Sequence, residues 1–221
     1  MNPLHPTIPR LLSIQVGLPR TIQSPDRSWT SGIFKTAVSG PIILGETNLF
    51  GDGQADLENH GGPDRAALAY AADHYEVWNA ELGRNDLPFG WFGENLTISG
   101  LDERSVCIGD VYSIASARVQ VSQPRQPCWK LARRTGLNDL PARVVETVRG
   151  GWYLRVLEPG TIESGASVVL LDRPQPDWPV ARAFEIALRH REDRAANLAL
   201  SRLPELSTGW REAARHRGEG E

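Results

Sequence analysis

A proline-rich segment at residues 173–179, RPQPDWP, separates two unlike parts of the sequence. Before it, turn residues interrupt short runs of β-favouring side chains, whereas after it the chain is rich in Ala, Leu, Arg and Glu. Because proline continues neither a helix nor a central strand, we interpret this segment as a linker. The sequence therefore predicts a β-rich domain over residues 1–172 and a linker with a small helical extension over residues 173–221. Helices of the extension are predicted near residues 180–190, 193–201 and 207–216.

Glycine and proline also divide the part of the chain before the linker. The 221-residue chain has 21 Gly and 16 Pro, which indicates frequent turns and short strands. Strands are predicted within residues 10–18, on both sides of a turn at 39–41, at the end of 86–100, as a hairpin over 111–124 with a turn near Ser116, and twice within 152–172. Helices are predicted over residues 66–82, where Tyr75, Trp78 and Leu82 share a face, and over residues 142–149.

Charge and cysteine content limit the possible functions. A net charge of −3 leaves no basic excess with which to bind nucleic acid. No run of about eighteen apolar residues is present, so we expect neither a membrane span nor a membrane partner. The two cysteines, Cys107 and Cys128, form neither a disulfide framework nor a CxxC pair. We therefore expect a reducing, cytoplasmic setting.

The segment QVSQPRQPCWK at residues 120–130 contains the cysteine with the clearest functional signal. Two prolines hold Cys128 in a stiff, extended loop between Arg125 and Lys130. Nearby cations favour the thiolate, which is the form of cysteine that attacks electrophiles and binds metals. Most unpaired cysteines are simply buried, and this is our interpretation of Cys107 in the strand-like stretch SVCIGD.

Two other segments are suited to binding an anion. In HGGPDR, at residues 60–65, paired glycines allow close backbone approach and Arg65 offers a planar, forked donor. His60 is compatible with a ligand contact or with a structural hydrogen bond. In TSGIFK, Ser31 and Lys35 are compatible with a phosphate contact. Each segment also has a simpler interpretation, because Gly-Gly-Pro is first of all a turn and surface cations are usually solvated.

A fourth segment, FGENL at residues 92–96, leads into a predicted strand. Asn95 carries donors and an acceptor suited to the edge of a heterocycle, and Glu94 is a candidate general acid. Either residue could equally be part of a turn before the strand, and the segment alone does not decide between these interpretations.

At these residues the chain resembles the MOSC family, known from the C-terminal domain of molybdenum-cofactor sulfurases, and within it the stand-alone bacterial YiiM-like branch. The matching stretches are HGGPDRA at 60–66, FGENL at 92–96, IGD at 108–110, QVSQPRQPCWK at 120–130 and GW at 151–152. VARAFEIA and LPELSTGWR resemble the three-helix extension of that branch. The resemblance implies a mainly β fold: a MOSC-type, pyruvate-kinase-barrel-like β-barrel with a few helices and a small α-helical C-terminal extension.

The resemblance also implies a molybdenum cofactor, Mo-molybdopterin, whose metal is ligated by the sulfur of Cys128, which is then also the catalytic residue. A thiolate suits such a soft centre. The implied contacts to the anionic phosphate are Ser31, Lys35, Arg65, Arg125 and Lys130, and those to the pterin are His60 and Asn95.

Members of the family reduce N-hydroxylated compounds, including hydroxylaminopurines, to amines, and the resemblance implies the same reaction here. We expect tolerance among small N-hydroxylated substrates. The sequence has no flavin fingerprint and no cysteine set for an iron–sulfur cluster, so the electrons are expected from a separate flavoprotein or iron–sulfur protein.

Two other functions remain open on the sequence alone. The chain could be a non-redox module that carries the cofactor, or sulfur as a persulfide on Cys128. It could also be a cofactor-free thiol enzyme, although this requires a nearby base, and the sequence indicates no convincing one.

Overall fold

The computed structural model describes residues 8–24, 27–57 and 61–220. In these ranges the chain is dominated by β-sheet, as predicted. The strands are β1 Arg10–Val16, β2 Arg20–Ile22, β3 Trp29–Ser31, β4 Thr36–Val38, β5 Ile42–Leu44, β6 Ala67–Ala71, β7 Leu96–Ser99, β8 Val111–Ile114, β9 Ala117–Pro124, β10 Trp152–Glu158, β11 Gly160–Ile162 and β12 Val168–Asp172. The helices are α1 Asp73–Leu82, α2 Trp129–Thr135, α3 Leu140–Thr147, α4 Val180–Leu188, α5 Arg194–Ser201 and α6 Thr208–Glu219, with a 3-10 turn at Pro63–Arg65.

Eight strands form one sheet in the order β12-β8-β9-β10-β6-β7-β1-β4. The pairing of β6 with β7 is parallel, because α1 carries the chain back between them. Near the two ends of the sheet, Leu11 N donates to Ala166 O at 2.9 Å, and Val168 N donates to Pro9 O at 2.8 Å. These bonds join β1 to the chain entering β12, so the sheet curls back on itself in a barrel-like arrangement.

The hydrophobic core inside this sheet continues into the C-terminal helices, which lie close to their predicted positions. One buried cluster contains strand residues such as Leu11 and Val119 together with side chains of the extension. The buried contributions from the extension include Val180, Ala183, Ile186, Leu200, Leu203, Leu206 and Ala214. Ser207 N, just before α6, also donates to Ser122 O of β9 at 2.9 Å. The extension is therefore packed onto the sheet and shares its core.

The predicted helix over residues 66–82 is wrong in its first half. Residues Ala67–Ala71 form β6, and the helix begins only at Asp73. All five residues of β6 are buried, because the strand lies between β10 and β7 in the middle of the sheet. Burial and pairing have overridden the helix preference of the alanines. Gly83 ends α1 in the left-handed conformation at φ 63°, so the predicted end of the helix at residue 82 is confirmed.

Two smaller corrections concern other connections. The extended segment around Cys128 is short, because α2 starts at the next residue, Trp129. The region 152–172 holds three strands rather than two, since β11 pairs with β5 before the chain returns to β12. The hairpin of β8 and β9 is confirmed, with its turn at Ala115 (φ 49°). None of the helices in the described ranges has the length and apolar character needed to span a bilayer.

Candidate functional site

An open cavity of about 680 Å³, here called the first cavity, gathers side chains from the four segments that the sequence singled out. It contains seven of the eight residues predicted as site residues, and the eighth, His60, lies outside the described residues. The seven are Ser31, Lys35, Arg65, Asn95, Arg125, Cys128 and Lys130. Among the described residues, four cationic side chains and a single carboxylate, Asp56, line this cavity, so it is suited to an anion.

Glycine allows three separate segments to meet as the walls of the first cavity. A Cβ on Gly32 would lie 2.1 Å from Gly53 O, and a Cβ on Gly93 would lie 2.6 Å from Cγ1 of Ile33. Gly93 also has a positive φ of 85°, which favours glycine. Because glycine occupies these positions, the segment that contains Ser31 can pack directly against the segment at Gly53.

Arg125 lines the first cavity and carries an unsatisfied donor. Only 5% of this residue is exposed, and its Nη2 donates to Phe92 O at 3.1 Å. Its Nη1 is buried and has no hydrogen-bond partner in the part of the chain that the structure describes. A buried donor left unpaired costs about 1–3 kcal/mol. An anionic ligand in the cavity would satisfy it.

Lys35, in contrast, is already paired within the protein. Its ammonium contacts the carboxylate of Asp52, and both side chains are buried. Burial lowers the pKa of Lys35, and the charge and hydrogen bond of Asp52 oppose this shift. Asn95 is similarly engaged, since its Nδ2 donates to Asp52 Oδ2 at 2.9 Å and its Oδ1 accepts from Leu68 N at 3.1 Å. Both residues line the cavity with polar atoms that protein partners already use.

The turn before β6 positions Arg65. Gly62 has φ 91° and ψ 169°, a conformation that is essentially restricted to glycine. Asp64 Oδ1 accepts from Arg155 Nε at 2.8 Å, and Asp64 O lies 2.6 Å from Ser122 Oγ, which donates to it. These bonds attach the turn to β9 and β10. Arg65 consequently lines both the first cavity and its neighbour.

Cys128 lies directly before α2 with extended backbone angles of φ −113° and ψ 166°. It is half-buried and forms no disulfide with Cys107. Arg134 lies at the other end of α2, where its Nε donates to Trp91 O and its Nη2 to Gly90 O, both at 3.0 Å. Arg134 thus fastens α2 to the loop that leads to Gly93.

A second cavity, of about 1000 Å³, adjoins the first and shares Arg65, Cys128, Lys130 and Tyr153 with it. Further lining comes from residues that the sequence analysis missed. They are Asp56, which both cavities share, and Gln123, Trp129 and Trp210. Burial raises the pKa of Tyr153, so its hydroxyl keeps its proton at neutral pH. Tyr153 follows the GW match at residues 151–152, which was the one sequence signal pointing to it.

Two residues considered in the sequence analysis, Glu94 and Cys107, have structural roles. Glu94 does not line either cavity in the described part of the chain, and it is fully buried. Its Oε1 accepts from Gly90 N at 2.7 Å and from Thr97 Oγ1 at 3.1 Å, which argues against a role as general acid. Cys107 is confirmed as a core residue with 2% exposure, and burial and Asp110 raise the pKa of its thiol.

The barrel-like sheet and the cysteine-lined cavity agree with the families that the chain matches. The MOSC domain family matches residues 56–169, and the family described as YiiM-like, 3-alpha helix domain matches residues 178–219. The chain belongs to the MOSC domain family, which is associated with binding of the molybdenum cofactor. Its second match places it in the branch that carries the three-helix extension.

Three similar proteins extend this finding. YflK from Bacillus subtilis is 42% identical over 201 residues, which are 91% of this chain and 90% of that protein. The crystal structure of YiiM from Geobacillus stearothermophilus is 40% identical, with a TM-score of 0.81, and the match covers 95% of this chain and 99% of that one. A protein named reductase from Gibberella moniliformis is 38% identical over 181 residues, which are 80% of this chain but 31% of that longer protein.

Proposed function

We propose that the chain binds a molybdenum cofactor in the first cavity and uses it to reduce N-hydroxylated compounds to amines. The observation that carries this proposal is the buried Nη1 of Arg125, which has no partner among the described residues, on a side chain that lines the same cavity as Cys128. A guanidinium donor without a partner is suited to a phosphate. A half-buried thiol in a cavity lined by cations is suited to a soft metal. The residues present therefore suit this cofactor.

In this proposal, Cys128 Sγ is the protein ligand to molybdenum. Arg125, Arg65 and Lys130 bind the anionic part of the cofactor, because they line the cavity around the thiol. Ser31 lines another wall of this cavity, formed by a different segment, and adds a hydroxyl. Lys35 and Asn95 shape that wall through Asp52 rather than by unused donors. His60 is assigned by its motif alone.

When bound, the cofactor supplies the two electrons of the reaction, in which R–NHOH, two protons and two electrons give R–NH₂ and water. Two side chains that both cavities share, Tyr153 and Asp56, are our candidates to act on the substrate. Tyr153 keeps its proton and can donate a hydrogen bond to the N-hydroxyl oxygen. Asp56 is the shared carboxyl group and our candidate to deliver a proton to that oxygen as water leaves.

A separate protein, a flavoprotein or an iron–sulfur protein, is our proposed source of electrons, in the cytoplasm. The Gibberella protein named reductase supports an oxidoreductase assignment. Only 31% of that protein matches this chain, so additional polypeptide accompanies the corresponding region there. In our proposal, a partner chain takes the place of such additional polypeptide.

The test is anaerobic turnover. Protein purified from a host that makes the cofactor is reduced with dithionite or reduced viologen, and amine formation from 6-hydroxylaminopurine is measured. We expect donor-dependent turnover by the wild type and by Cys107→Ser, and none by Cys128→Ser. Cofactor-loaded wild type that forms no amine from several N-hydroxylated compounds would overturn the reductase proposal in favour of a carrier.

A further inference from the structure

Three aromatic side chains from distant parts of the chain line the second cavity. Trp129 belongs to α2, Tyr153 to β10 and Trp210 to α6. Trp129 is 49% exposed and is held by an edge contact to Trp29, with ring centroids 5.6 Å apart. Trp210 is partly buried against the main core cluster. Aromatic side chains around an open cavity offer a surface on which a planar ring can stack.

Gln123 lines the same cavity and carries an unused acceptor. Only 3% of this residue is exposed, and its Nε2 makes a long contact of 3.5 Å to Pro124 O. Its Oε1 is buried and unpartnered within the described residues. Since a buried acceptor without a donor destabilises the protein, this oxygen is suited to a ligand that carries an N–H group.

Ser122, the neighbour of Gln123, joins three walls of the second cavity. Its Oγ lies 2.6 Å from Asp64 O, beside Arg65, and 3.1 Å from Tyr153 O, and it can donate its proton to either. Its own carbonyl oxygen accepts from Ser207 N at 2.9 Å. Ser207 precedes α6, so this bond fixes the start of the helix that carries Trp210. The extension is therefore positioned as part of the cavity wall.

We infer that the second cavity is the substrate subsite and that Trp210 and Gln123 select planar ring compounds with an N–H donor over small hydroxylamines. This inference rests on the proposed function, and it gives the C-terminal helices a direct role in substrate choice. The sequence predicted that many small N-hydroxylated substrates are accepted, whereas this inference predicts a preference for ring compounds. The aromatic faces favour a flat ring, while Gln123 Oε1 accepts from its edge.

The experiment compares cofactor-loaded wild type with Trp210→Ala, Trp210→Phe and Gln123→Leu. Trp178→Ala is the matched control, because Trp178 packs against the same core and contacts Arg182 at 4.2 Å but lines neither cavity in the described chain. Binding of adenine, a planar amine of the product type, is measured by titration calorimetry. The ratio kcat/KM is measured for 6-hydroxylaminopurine and for hydroxylamine, and thermal melting verifies folding.

We expect Trp210→Ala to weaken adenine binding about tenfold, and Gln123→Leu about fivefold. Both should lower kcat/KM for the purine through KM and leave that for hydroxylamine nearly unchanged. Trp210→Phe should recover much of the adenine affinity, and Trp178→Ala should match the wild type.

Adenine binding that is unaffected by Trp210→Ala, or equal losses for the purine and for hydroxylamine, would overturn the subsite. These outcomes leave the reductase proposal standing. Trp210-dependent adenine binding by a protein without donor-dependent turnover would support the subsite and count against the reductase proposal alone.

Discussion

The two cavities that meet at Cys128 differ in the polar atom that each leaves unused. The first cavity has a buried guanidinium donor, Nη1 of Arg125, and cationic walls, so it is suited to an anion. The second has a buried amide acceptor, Oε1 of Gln123, and aromatic walls, so it is suited to a flat ring with an N–H group. From this difference we expect the cofactor to bind in the first cavity and the substrate in the second, with Cys128 shared by both.

The largest effect should come from Cys128, one of the residues that both cavities share. Cys128→Ser should remove molybdenum from the protein while the fold remains, because a hydroxyl is a poor ligand for a soft metal at neutral pH. Metal analysis of the purified variant measures this. The control is Cys107→Ser, which should lower the free energy of unfolding by about 1–3 kcal/mol and keep the metal. A well-folded Cys128→Ser variant with full molybdenum content would refute the ligand assignment.

The next largest effect should come from removal of the C-terminal extension, which should alter the second cavity and leave the first cavity's lining in place. A chain that ends at Asp172 retains the described lining of the first cavity but lacks Trp210. It also loses buried side chains such as Phe184 and Leu200, so thermal melting should show a strongly lowered Tm. Any folded fraction should still hold molybdenum and should bind adenine at least about tenfold more weakly. A soluble, folded truncation without cofactor would place the extension in the first cavity instead.

Substitution of Arg65, which lines both cavities, tests its proposed contact with the anionic cofactor. Arg65→Ala should weaken cofactor binding about ten- to a hundredfold, which corresponds to a charge-assisted hydrogen bond of about 1.5–3 kcal/mol. Arg65→Lys should recover only part of this, since an ammonium cannot reproduce the planar fork. Pterin content, measured by fluorescence after oxidative release, reports both variants. An alanine variant with wild-type pterin content would show that Arg65 does not hold the cofactor.

Lys35 should have the smallest effect on the cofactor and a clear effect on stability. Lys35→Met leaves the buried carboxylate of Asp52 without its cation, so the free energy of unfolding should fall by about 3–5 kcal/mol. Cofactor affinity should fall less than in Arg65→Ala, because Lys35 is already paired. The matched variant Lys130→Met, at the half-buried border, should change stability by no more than about 0.5 kcal/mol. Chemical denaturation of both variants decides whether Lys35 is mainly structural.

Local patterns in the sequence predicted the elements that local forces decide. The β8–β9 hairpin follows from β-favouring residues around a turn, and the three C-terminal helices follow from a composition rich in Ala, Leu, Arg and Glu. The alanine-rich strand β6 could not be predicted in this way, because its conformation depends on pairing with β10 and β7, which are distant in sequence.

The site shows the same limit. The resemblance pointed to Cys128 and Arg125, and the fold places both at one cavity. Nothing local to Gln123 or Trp210 indicated that they would share a second cavity, since Ser122 brings them together through a hydrogen bond to Ser207. Conversely, Asn95 carries suitable donors in the sequence, yet its amide is engaged by Asp52 and Leu68.

The most direct test of the central claim is the molybdenum and pterin content of the wild-type chain, purified from a host that makes the cofactor. Metal analysis and pterin fluorescence are measured on the same folded sample, with Cys128→Ser purified in parallel. The account predicts molybdenum and pterin in equal amounts in the wild type, and loss of the metal in the variant. A folded wild-type protein that contains neither would contradict it.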